Sequence, residues 1–211
     1  MLTIQYILTF IPALLIVLTV HEASHALIAY YLGDPTAKIK GRLTLNPVAH
    51  LDVVGSLVFL LTFRFGWGKP VPVNPSNFKN PIRDSAYTAL AGPLSNFVLA
   101  FAIAFIIKYL SPYSPLWLAT FFQMTFDVSV ILGIFNLFPF PPLDGSKILG
   151  LFIPKRWHRQ YINFLEDGLK YFVAIILIDA FILRDFFDFS VFGYVIGFLY
   201  ERIAMILLLG S

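Results

Sequence analysis

The chain has 211 residues, of which 58% are hydrophobic and 13% charged, with a formal net charge of +3 and a mean hydropathy of +0.79. A soluble domain carries about 25% charged residues, so this composition excludes a water-soluble globular fold and indicates an integral membrane protein. The lack of cysteine excludes a disulfide framework, a thiolate metal site and a thiol nucleophile.

Residues 1–20 carry no charge and open a helix expected at about 4–32, long enough to span a bilayer, which takes about 20 apolar residues. A cleaved signal peptide explains this run poorly, because no Lys or Arg precedes it and no small-residue cleavage site follows. An insertion over 36–83 comes next. Within it "AKIKGRLTL" alternates apolar and polar residues and predicts a strand. "VVGSLVFLLTF" at 53–63 is short for a crossing and reads as a re-entrant or edge segment, a sixth crossing being the alternative. Helices are then expected at about 85–108 and 117–138, followed by a basic loop and two C-terminal helices at about 169–184 and 189–209. The sum is one membrane-embedded domain over 1–211: an all-α polytopic protein of about five transmembrane helices, six at most, with a small strand-rich or re-entrant insertion after the first helix.

Charge placement orients this layout. Lys38, Lys40, Arg42, Arg64, Lys69, Lys79 and Arg83 fall in the insertion, and Lys147, Lys155, Arg156 and Arg159 in the later basic loop, whereas "SPYSPLW" at 111–117 has none. The excess of Lys and Arg on cytoplasmic loops puts the insertion and the basic loop inside and 111–117 outside, in a cell membrane. The bilayer and membrane-protein substrates are the expected partners. Nucleic acid is not expected, and the oligomeric state is not legible.

His21-Glu22-Ala23-Ser24-His25 lies at the end of the first apolar run. In a helix His21 and His25 project from one face, a spacing at which two imidazoles reach one zinc ion, with Glu22 beside them as a general base. Two histidines on a helix can equally be satisfied core residues. Ionisable groups near the membrane centre cost roughly 2.5–3.5 kcal/mol each on insertion scales, however, and a cation with trapped water compensates that cost. Counted from Ile4 at 1.5 Å per residue, His21 stands about 26 Å along the axis, toward the cytoplasmic side of a hydrocarbon layer about 30 Å thick. A catalytic zinc needs a third ligand and an open position. Asp144 in "FPFPPLDGSKIL" can reach the same depth, because Pro139, Pro141 and Pro142 stop the preceding helix; a solvated Pro-Pro-Leu-Asp-Gly turn is the other reading.

Two motifs together make the sequence resemble the site-2 protease family of intramembrane zinc metalloproteases: His21-Glu22-x-x-His25, and Asn136-x-x-Pro139-x-Pro141-x-x-Asp144-Gly145. "AGPLSNF" at 91–97 resembles the Gly-Pro-x-x-Asn element of that family's middle core helix. "GRLTLNPVAHLDVVGSL" and "GWGKPVPVNPSNF" are similar to its compact bacterial and archaeal branch, which lacks an appended regulatory domain. The resemblance implies one Zn2+ held by His21, His25 and Asp144, Glu22 as general base, and Asn136, with Asn96 as a weaker candidate, near the reacting carbonyl. It also implies regulated cleavage within or near transmembrane segments of single-pass membrane proteins. Strand addition at residues 39–45 is expected to hold the unwound substrate.

Other residues carry competing readings. His50 fits a structural role in the insertion. His158 fits a basic interfacial loop. Asp127 is either functional or hydrogen-bonded to another helix. No G-x-S-x-G-like turn supports a serine nucleophile. A transporter or a metal-binding protein without catalysis is the competing class, since it too would bury ionisable groups in a membrane, but the paired broken segments of two related halves are not found.

Overall fold

The computed structural model describes residues 4–62 and 67–208. Three of the helices are long and apolar enough to cross a membrane among the described residues: α1 (Ile4–Tyr31), α4 (Pro81–Tyr109) and α5 (Leu116–Asn136). They pack against one another as a three-helix core. Between α1 and α4 lie the short α2 (Thr36–Ile39) and α3 (Val53–Thr62). After α5 come α6 (Asp144–Ile148), α7 (His158–Leu177), a π-helical turn at Ile178–Leu183, α8 (Arg184–Phe187) and α9 (Val191–Leu207).

The packing follows from small residues at four-residue spacing. On α1, Thr9, Ala13, Val17, His21, His25 and Ala29 are all buried and form one stripe along the helix. Between apolar helices in lipid there is little hydrophobic drive, and close approach of small side chains supplies the attraction instead. Ala100 and Ala104 of α4 serve the same purpose against Phe126, Val130 and Ile134 of α5. The two histidines therefore continue the stripe by which α1 joins the core. α4 begins at Pro81, whose missing N–H costs nothing in a first turn, and the Asn80 N–H donates to Asp84 Oδ2 at 2.9 Å.

The insertion departs from expectation. No strand occurs among the described residues, and an isolated antiparallel bridge joins Leu51 and Gly68. The expected strand at residues 39–45 fails for local reasons. Asp34 accepts from the Thr36 N–H and hydroxyl and starts α2, Gly41 turns the chain at φ +67°, and the buried Arg42 folds back to the Pro70 and Lys69 carbonyls. Alternation had no face to bury, since Ile39 and Leu45 are 79% and 72% exposed. What organises the insertion is a set of buried polar anchors. Asp34 also accepts from the Asn74 N–H and the Asn77 amide at 2.7 Å each. Burial alone would raise the Asp34 pKa, but these donors outweigh it and lower it, so Asp34 contributes stability above the unfolded-chain value that is lost as pH falls through the lower folded value. The apolar run at 53–63 is helical over Val53–Thr62; Phe63 and Arg64 lie outside the described residues.

The C-terminal part also differs in its bounds. The helix expected from residue 169 starts at His158, which heads α7 instead of lying in a loop. α7 and α9 are not among the helices apolar and long enough to span, since α7 carries Arg159, Glu166, Asp167 and Lys170 and α9 has 17 residues. Asp127 of α5 accepts from Tyr200 of α9 at 2.6 Å and from Gln123 at 2.9 Å, which is the interhelical reading of that residue.

Candidate metal centre

His21 and His25 reach the centre because the α1 stripe turns them toward α4. Asp144 reaches it because α5 stops. Asn136 and Leu137 end that helix, the proline-rich 139–142 segment folds back, and α6 opens at Asp144. Gly145 is what permits the return: a Cβ there would lie 2.2 Å from the Leu137 carbonyl oxygen and 2.3 Å from that of Phe138, both of them backbone atoms.

The three side chains converge. Nε2 of His21 and Nε2 of His25 are 3.1 Å apart, and each is 3.2 Å from Asp144 Oδ2. Zinc bonds of about 2.0–2.1 Å at tetrahedral angles separate neighbouring ligand atoms by about 3.3–3.4 Å, so this triangle is close to one face of a zinc tetrahedron. Two nitrogens and one carboxylate oxygen are also a donor set that suits zinc.

A surrounding layer orients the candidate ligands. His25 Nδ1–H donates to the Thr88 carbonyl at 2.7 Å; a carbonyl can only accept, so the His25 Nε2 lone pair faces His21 and Asp144. His21 Nδ1 meets Asn96 Nδ2 at 3.0 Å. Gly92 fits directly beneath both rings, and a Cβ there would lie 2.4 Å from His25 Nε2 and 2.6 Å from His21 Cε1. Gly92→Ala is therefore expected to displace both imidazoles and to lower cleavage of a transmembrane test peptide by about 100-fold, a loss that a 1 Å misplacement can produce. Circular dichroism should show unchanged helicity. Wild-type cleavage by the variant would refute this account of the glycine.

The centre opens into a cavity of about 280 Å³, lined by all three candidate ligands and by Glu22, Asn136 and Val71. Glu22 Oε2 accepts from the Val71 N–H at 2.9 Å, which ties the carboxylate to the Pro-rich segment that walls the cavity. Asn136 lines the same cavity and donates to its own helix at Leu132 O, 3.1 Å away. Asn96 is fully buried behind His21 and does not line the cavity. His50 lies elsewhere, buried in the insertion; its Nε2–H donates to Thr44 O at 2.9 Å. Thr88, Gly92 and Val71 were not singled out from sequence as functional. Thr88 and Val71 act through backbone atoms and leave no side-chain signal, and Gly92 is legible only as the glycine of the Gly-Pro-x-x-Asn element in "AGPLSNF", which by itself gives it no role.

Comparison with known proteins gives the same direction. Residues 9–178 match the profile described as peptidase family M50. "Putative zinc metalloprotease YwhC" of Bacillus subtilis is 41% identical over 162 residues, covering 72% of this chain and 74% of the relative. "Putative zinc metalloprotease Rip2" of Mycolicibacterium smegmatis is 28% identical over 184 residues, 82% of this chain and 70% of the relative. "Putative zinc metalloprotease MJ0611" of Methanocaldococcus jannaschii is 42% identical over 62 residues, 29% of this chain and 31% of the relative. No solved structure matches the chain.

Proposed function

The chain belongs to peptidase family M50, the site-2 protease family of intramembrane zinc metalloproteases, and from that premise we propose that its activity depends on one zinc ion held by His21, His25 and Asp144. The observation that carries this reading is the triangle of ligand atoms, 3.1 to 3.2 Å on each side, opening into the cavity that Glu22 also lines. When bound, zinc supplies Lewis acidity that polarises a carbonyl and acidifies water. Glu22 accepts the proton of the attacking water and returns it to the departing amine nitrogen. The Val71 N–H limits the directions in which the Glu22 carboxylate can point. Asn136, on the cavity wall, can turn its amide from Leu132 O toward a substrate carbonyl.

The substrates are transmembrane segments of single-pass membrane proteins, unwound locally so that a peptide bond can enter the cavity. The protein is a multi-pass protein of the cell membrane with the site toward the cytoplasm, a reading supported by the basic residues of the insertion and of the 147–159 loop. Stripping metal from the detergent-solubilised protein with a chelator is expected to abolish cleavage of a transmembrane test peptide, and one equivalent of zinc to restore it. Full cleavage by protein shown to contain no metal would overturn the proposal.

A further inference from the structure

Asn96 is 0% exposed and faces the ring edge of His21 that points away from Asp144. Its Nδ2 stands 3.0 Å from His21 Nδ1, and among the described residues its buried Oδ1 has no hydrogen-bond partner. A carboxamide has two ends of nearly equal size, so a half-turn about its last bond exchanges donor and acceptor in place. The two orientations have opposite consequences for His21. With nitrogen toward the ring, Asn96 donates to Nδ1, and the ring proton sits on Nε2, the atom 3.2 Å from Asp144 Oδ2. With oxygen toward the ring, Asn96 accepts from Nδ1–H and leaves the Nε2 lone pair directed at His25 and Asp144. Only the second leaves Nε2 free to bind a metal.

We propose that Asn96 is a positioning residue for His21: its Oδ1 accepts from His21 Nδ1–H and selects the tautomer in which Nε2 is a zinc ligand. This rests on the zinc reading of the centre. It gives His21 the counterpart of what the Thr88 carbonyl gives His25, so that each imidazole is held from behind by an acceptor on α4. Thr88 and Asn96 are both buried on that helix, on either side of Gly92, which leaves room for the two rings. The oxygen that otherwise has no partner gains one. Asn96 does not line the cavity and so acts through His21 alone.

The test is the zinc dissociation constant of the full-length protein in detergent, measured by competition with a fluorescent chelator for wild type, Asn96→Leu and Asn96→Asp. Leu keeps the volume and removes the acceptor, and should weaken zinc binding about 10–100-fold, as loss of a partner behind a metal-binding histidine does. Asp is an acceptor without a donor, and should bind zinc within about threefold of wild type or tighter. Unchanged affinity in Asn96→Leu overturns the proposal, and so does Asn96→Asp losing as much affinity as Leu would. If the Leu variant does not fold, Asp against wild type still decides between an acceptor and a donor at this position. A wild-type protein that binds no zinc instead refutes the reading of the centre itself.

Discussion

Glu22→Gln is expected to keep its zinc and to lose cleavage. The substitution preserves shape and leaves an amide that can still accept from the Val71 N–H, 2.9 Å from the native Oε2, but an amide cannot take a proton from water. General acid–base catalysis by one positioned group is worth roughly 10²–10⁴-fold, and cleavage should fall by about that factor. Metal content is the necessary control, because Glu22 is beside His21 in sequence and is not one of the three converging ligands. Cleavage by the variant at more than about a tenth of the wild-type rate would remove Glu22 from the role of base, since that loss is well below the usual range. A variant that also loses zinc would show Glu22 to be a ligand.

Asp144→Ala is the complementary case, with zinc lost first and cleavage as a consequence. Four-ligand zinc sites in small peptides bind with about 10–16 kcal/mol, an even share of about 2.5–4 kcal/mol for each ligand. Removing Asp144 should therefore weaken zinc about 10²–10³-fold. The variant also leaves two buried imidazoles facing each other at 3.1 Å without the carboxylate between them and α6. Equilibrium dialysis against buffered zinc, followed by elemental analysis, measures the loss. Zinc affinity equal to wild type would show that the chain after α5 does not complete the site.

These two residues also mark how much was legible in the sequence. The long apolar runs gave α1, α4 and α5 within a few residues, because the need for about 20 apolar residues across a bilayer leaves little freedom. His21 and His25 could be paired from spacing alone, since a helix fixes the direction of residues four apart. Asp144 lies more than a hundred positions later and depends on where α5 ends and how the prolines turn, so spacing left it open between ligand and solvated turn. The structure brings it to the histidines.

The insertion is not legible from sequence, because alternation in "AKIKGRLTL" looks the same whether or not a partner strand exists. Strand formation needs a neighbour to satisfy its backbone. Here Asp34, Arg42 and His50 use buried side chains to satisfy that backbone instead, at Thr36, Asn74, Lys69, Pro70 and Thr44. Expected strand addition by a substrate at 39–45 therefore loses its preformed edge. The orienting contacts of the centre were invisible for a related reason. A backbone carbonyl at Thr88 and the space beneath two rings at Gly92 are properties of how α1 meets α4, and no residue type announces them.

Zinc K-edge X-ray absorption on the purified protein tests the central claim most directly. The account predicts about one zinc per chain, with a first shell of nitrogen and oxygen at about 2.0–2.2 Å and outer-shell scattering from two imidazoles. Zinc absent from the protein, or a shell without imidazole scattering, would contradict it.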